Sequence, residues 1–184
     1  EESFRSDTAE SRIFDGQDAR SMLKSICVTA FSAQKGAKTM IDFSKLEQYR
    51  ENNRIEAKKA LGGLPKSIWE TYSAFANTYG GIILLGVEER ADKSLHPVDL
   101  PDPDRLIREF WDIVNNPNKT SVNILSARDV FVQEVDGAHI VVIRVPRAER
   151  SYKPVYVDGN PLCTYRRNGE GDYRCAREEY QAMV

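Results

Sequence analysis

The chain has 184 residues, 41% hydrophobic and 29% charged, with a formal net charge of -2. That size and composition suit one globular domain able to bury its own core. With no run of about 18 apolar residues and no basic-then-apolar start, the sequence argues against a spanning helix or a secretory signal, so no membrane partner is expected and a soluble, cytoplasmic protein is.

The small net charge hides an uneven distribution. From Glu88 to Asp112 there are eight acidic residues against four basic ones, a stretch that would repel a phosphate backbone. From Arg144 to Arg177 the balance reverses, with eight basic residues against four acidic, and this window could face an anionic polymer. The cysteines Cys27, Cys163 and Cys175 are scattered, and only His96 and His139 could assist them, so they read as reduced packing residues and no zinc is expected.

Residues 1–39 read as an N-terminal extension. Within it Ala19, Met22, Leu23, Ile26, Cys27 and Ala30 recur at helical spacing, which predicts an amphipathic helix that packs on its own domain or pairs two copies as a homodimer. The main domain is placed at residues 40–184. It opens with a helix capped by Asp42 and carrying Phe43, Leu46 and Tyr49 inward. Arg54 to Lys58 alternates, which predicts a strand with Ile55 and Ala57 on one face and the charges of Arg54, Glu56 and Lys58 on the other. After Gly62-Gly63, Pro65 opens a helix whose apolar stripe runs from Ile68 through Trp69, Tyr72, Phe75 and Ala76 to Tyr79, closed by Gly80. Ile82 to Val87 is unbroken apolar sequence, as expected of a central strand covered on both faces, with Glu88 and Glu89 emerging at its end. Asp102-Pro103-Asp104 starts a further helix ending at Asn115. Val130 to Val135 and His139 to Val145 form a hairpin through Asp136-Gly137. Pro154 to Val157 and Cys163 to Arg167 are read as a strand pair, Asn168 to Asp172 as a polar loop, and Ala176 to Val184 as a closing helix.

If the two strands pair, Glu51, Glu56 and Glu89, with Glu88 as rival to Glu89, are candidate carboxylate ligands for magnesium or manganese, which could orient a phosphodiester and activate water. An ordinary solvated face explains the same alternation. Lys58 stands about 7 Å along the strand from Glu56, where it could pair with it or hold a phosphate. Arg166 and Arg167, beside Tyr165, could contact phosphate next to an aromatic ring, or form a solvated hairpin tip. Trp69 and Trp111 read as core.

The order Glu51-x4-Glu56-x-Lys58, then Ala74-Phe75-Ala76-Asn77-Thr78 and Gly80-Gly81, resembles the core of the Schlafen/AlbA-like nucleic-acid-binding domain family. The likeness is densest from Asp42 to Glu89, with a looser echo through Tyr165-Arg166-Arg167-Asn168-Gly169. It implies an α+β fold, a mixed sheet of about five to six strands with helices packed on it. In the Schlafen branch it implies metal-dependent ribonucleases, whose catalytic carboxylates fall on Glu51, Glu56 and Glu89. For the bacterial branch it implies DNA-binding domains of transcriptional regulators, often joined to an ATPase-like or winged-helix segment that is not visible in this chain. The leading expectation is a domain that binds DNA or RNA through Lys58, Arg144, Arg147, Arg150, Lys153, Arg166 and Arg167. The alternatives are a metal-dependent endoribonuclease and a dimerising regulatory module.

Overall fold

The computed structural model describes residues 41–184. The helix expected over residues 19–30 lies outside them. The first described element is a 3-10 turn, Phe43–Gln48, where the sequence predicts a longer helix. Asp42 does cap it, its carboxylate accepting from the backbone N–H (3.1 Å) and hydroxyl (2.6 Å) of Ser44, but Lys45 leaves helical geometry at φ -127°.

In chain order there follow β1 (Ile55–Lys58), α1 (Ile68–Asn77), β2 (Gly81–Leu85), β3 (Val87–Glu89), β4 (Leu95–Pro97), α2 (Pro103–Val114), β5 (Val130–Val135), β6 (Ala138–Val145), β7 (Tyr165–Asn168), β8 (Gly171–Arg174) and α3 (Arg177–Met183). Four of the strands make one mixed sheet in the order β1-β2-β6-β5, in which β1 and β2 are parallel and the other pairs antiparallel. A parallel pair needs a crossover, and α1 supplies it. The remaining strands make two ribbons, β3-β4 and β7-β8. The α+β class with a mixed sheet is therefore the one expected from sequence.

The sheet is covered on both faces, and strand alternation sorts its side chains between them. Ile83 and Leu85 of β2, with Val141 and Ile143 of β6, pack against Ile68, Tyr72 and Phe75 of α1 and Phe110 of α2. Ile82 and Leu84, with Ile140 and Val142, pack against Leu46, Val87 and Leu95 on the opposite face. Trp69 stacks on Phe110 with ring centroids 5.3 Å apart, and Trp111 meets Phe110 edge-on at 6.0 Å, so both tryptophans serve packing.

Three local readings are corrected. The apolar run from Ile82 to Val87 is not one strand: the chain breaks at Gly86, φ +83°, where a Cβ would lie 2.7 Å from Leu100 and 2.9 Å from the Val98 carbonyl. Val87 to Glu89 then leaves the sheet and pairs with β4. Helix α1 ends at Asn77, so Tyr79 lies beyond the stripe and is 55% exposed. Finally, Pro154–Val157 and Cys163–Arg167 share only the single bridge Tyr156–Thr164. The true partner of β7 is β8, drawn from the segment read as a polar loop, with Arg167 opposite Asp172.

Candidate functional site

Two groups of charged side chains lie around the C-terminal end of α1, and the residues that end the helix hold both in place. Asn77, 6% exposed, is far more than a helix terminator. Its side-chain amide donates to the carbonyls of Val155 (2.8 Å) and Tyr165 (3.0 Å), and its carbonyl oxygen accepts from the Val155 N–H (2.9 Å). Ser73, one turn earlier, donates to Val155 O (2.7 Å) and accepts from the Tyr165 N–H (3.0 Å). The backbone carbonyl of Asn77 accepts from Lys153 Nζ (2.7 Å), and Thr78 Oγ1 accepts from the Arg167 N–H (3.0 Å). Buried polar groups stay in a core only when so satisfied.

The first group is acidic and centred on β1. Glu56 is bound by Lys58 (2.9 Å) and by Arg167 (2.8 Å), and the Arg167 guanidinium also bonds Asp172 (2.9 Å). Asp172 accepts in turn from Thr71 Oγ1 (2.6 Å). The Arg167 side chain is 1% exposed and lies over the Phe75 ring at 5.1 Å. It is thus a buried structural cation, and the expectation that it faces phosphate does not match its position. Lys58 is likewise committed to Glu56 and only 13% exposed.

Glu51 accepts the Ala57 N–H (2.9 Å). Burial pushes its carboxyl up from the ordinary range, and the negative charges of Glu56 and Glu89 add to this. Adjacent strand residues point to opposite sides, and of the two rivals it is Glu89 whose charge Glu51 senses. Glu88 instead pairs with Lys59 (2.7 Å).

Magnesium or manganese does not fit this donor set as it stands. Glu56 is neutralised by two cations, Glu89 is paired with Lys93 (2.7 Å), and Glu51 is held by a backbone donor. Among the described residues no group of three or more His, Cys, Asp or Glu side chains is placed to hold a metal ion. His96 bonds Ser94 (2.7 Å) and Glu47 (3.1 Å), and His139 bonds Asp99 (3.2 Å).

The second group is basic. Arg147, Arg150 and Lys153 line a concavity of about 350 Å³ completed by Ala148, Ala182 and Met183, with no carboxylate on its wall. Arg147 and Arg150 are exposed and make no ion pair among the described residues. Burial holds the Lys153 ammonium below its ordinary pKa, and the like charge of Arg147 lowers it further, a crowding of cations that an anion would relieve. A second concavity of about 380 Å³ offers no such bias, since Arg105 there is balanced by Asp102 and Glu109.

The other basic residues expected at an interface lie apart. Arg166 is paired with Glu179 (2.7 Å). Arg144 is on the sheet face opposite α1, over the Phe131 ring at 5.0 Å and near Asp129. Sequence reasoning missed Asp172, and it missed the part of Asn77 that ties Lys153 and Val155 to α1. No helix among the described residues is long and apolar enough to cross a membrane.

The family model described as Schlafen, AlbA_2 matches residues 51–176, which takes in both charged groups. Among solved structures, the N-terminal domain of a protein of Nitrosomonas europaea named for its relation to the ATP-dependent DNA helicase RecG is 33% identical. Its TM-score is 0.56, and the likeness covers 74% of this chain and 95% of that one. A protein of Corynebacterium diphtheriae is 15% identical, with a TM-score of 0.46, over 91% of this chain and 33% of that one. No protein with a curated functional description matches the sequence. With more than half of its length matched, the chain belongs to the Schlafen, AlbA_2 family.

Proposed function

We propose that the chain is a nucleic-acid-binding domain that holds the phosphate backbone at the concavity of Arg147, Arg150 and Lys153. The observation that carries this reading is the composition of that wall: three cations, two of them unpaired among the described residues, and no carboxylate. A phosphodiester chain supplies the missing negative charge and releases its condensed counterions on binding. Family membership and likeness to the RecG-related domain support the same reading and favour DNA as the polymer.

Fluorescence anisotropy with labelled DNA and RNA across a salt series tests it. Affinity should fall steeply with salt, and Arg147→Glu or Arg150→Glu should weaken binding and flatten the slope by about one unit for each phosphate no longer neutralised. Salt-independent binding, or none at low salt, would refute the reading. The narrower role as a bacterial transcriptional regulator additionally requires that one duplex sequence out-compete random DNA.

A second reading, cleavage of RNA, is supported by the shared neighbourhood of Glu51, Glu56 and Glu89. It requires Lys58 and Arg167 to give up Glu56, and its test is incubation of RNA with the chain and manganese, followed by substitution of Glu89.

A further inference from the structure

We propose that Tyr79 is a stacking platform for an unpaired nucleobase, so that the nucleic acid this domain takes is single-stranded. The inference rests on the binding reading above and deepens it.

Tyr79 follows the end of α1 by two residues and is 55% exposed, leaving a large ring in solvent where the sequence pattern would have buried it. One exposed aromatic is common by itself. Its neighbours are what distinguish this one, and the sheet topology fixes them. Because β2 lies between β1 and β6, parallel to the first and antiparallel to the second, the residues that lead into β2 stand beside the start of β1 and the end of β6.

On the β1 side that position is Arg54, whose carbonyl accepts from the Ile82 N–H (2.8 Å) and whose guanidinium carbon lies 5.9 Å from the centre of the Tyr79 ring. On the β6 side it is Arg147. Gly80, at φ +72°, comes so near that segment that a Cβ would lie 2.8 Å from the Val145 carbonyl and 2.9 Å from the Arg147 nitrogen. Just before the ring, the Asn77 carbonyl holds Lys153 Nζ at 2.7 Å. Tyr79 therefore lies in the chain where segments carrying Arg54, Arg147 and Lys153 come together, and the last two of these line the concavity of the basic group.

Cations that follow the phosphates and a flat aromatic face that takes a base are the two components of a single-strand groove. A duplex keeps its bases stacked on one another and offers only their edges in its grooves, where a ring lying at the entrance to a strand has nothing to stack on. The occupant that matches both components is a strand with at least one base free.

The full 184-residue chain is titrated by anisotropy against a labelled oligothymidine of about 20 nucleotides and against a duplex of the same length. The single strand should bind more tightly. Tyr79→Ala should weaken it about 5- to 150-fold and erase the preference, with an unchanged salt slope, because stacking displaces no counterions. Tyr79→Phe, which keeps the ring, should bind as the parent does, and both variants should melt with the parent. Should Tyr79→Ala bind like the parent, or should the duplex be preferred, the platform is overturned while the binding function stands. Failure of both probes to bind at low salt overturns the two together.

Discussion

Arg167 and Glu56, 111 residues apart in the chain, meet in a charge-assisted hydrogen bond of 2.8 Å that ties the β7-β8 ribbon to the free side of β1. The same guanidinium reaches Asp172 on β8, so one arginine with 1% of its side chain exposed holds two carboxylates. A buried cation of this kind is stable only while both partners stay charged.

Removing one partner should therefore be costly. Asp172→Asn is expected to lose up to about 3–5 kcal/mol of stability, read from urea unfolding at neutral pH. Arg167→Lys should lose a comparable amount, because an ammonium cannot reproduce the planar fork that reaches Glu56 and Asp172 together.

Glu56→Gln strikes the same ion pairs, and its first effect is expected to be on folding. Loss of RNA cleavage in that variant would not identify a catalytic carboxylate. Glu89→Gln is the cleaner substitution: Glu89 pairs with the largely exposed Lys93, and breaking such a pair should change stability by less than about 1 kcal/mol. Cleavage in manganese that persists in Glu89→Gln would remove that carboxylate from the chemistry, whereas loss of cleavage in a fully folded Glu89→Gln would place it there.

The Asn77 amide is tested by Asn77→Ala. Three hydrogen bonds to Val155 and Tyr165 disappear; the Val155 N–H and the Tyr165 carbonyl are left without partners, at about 1–3 kcal/mol for each, while the Val155 carbonyl keeps Ser73 Oγ (2.7 Å). Amide exchange at Val155 should accelerate more than exchange in β2 or β6. Because Lys153 lies in the same segment, affinity for DNA should fall as well.

Glu51 gives a pH dependence whose sign follows from its raised pKa. A carboxyl that holds its proton more tightly folded than unfolded makes the native state bind more protons, so this group's contribution to stability falls as pH rises from the unfolded glutamate value through the raised folded one. Above that window the folded state carries the full penalty of a half-buried charge. Glu51→Gln keeps an acceptor for the Ala57 N–H and removes the charge. Relative to the parent, it should gain stability between acid and neutral pH and hold the gain above, measured as paired urea titrations from about pH 4 to about pH 7.

Much of the fold is legible in sequence because its signals are local. The alternation of Ile55 to Lys58, the Asp102-Pro103 start of α2 and the Asp136-Gly137 turn each specify an element without help from the rest of the chain. What was illegible depends on meetings between distant segments. Asn77 looks like a helix terminator until Val155 and Tyr165 are seen to end at its amide. Arg167 looks like a surface cation until the ribbon turns it toward Glu56. Asp172 could have been found, since Gly169-Glu170, with glycine at the first central position (φ +60°), suits a two-residue hairpin loop that sets Asp172 opposite Arg167. Tyr79 was lost by two residues: the apolar spacing continues past Asn77, but the helix does not.

The way β1 is dressed has a consequence for self-association. As an outermost strand it would present a row of backbone donors and acceptors to any other chain, yet Glu51 takes the Ala57 N–H (2.9 Å), and the Ile55 carbonyl accepts from the Asn52 N–H (3.1 Å). Side chains and a tight turn thus occupy the places where a foreign strand would dock, which protects this side from edge-to-edge aggregation. A second copy that extended the four-stranded sheet would have to add to β5, on the far side from every charged group around α1.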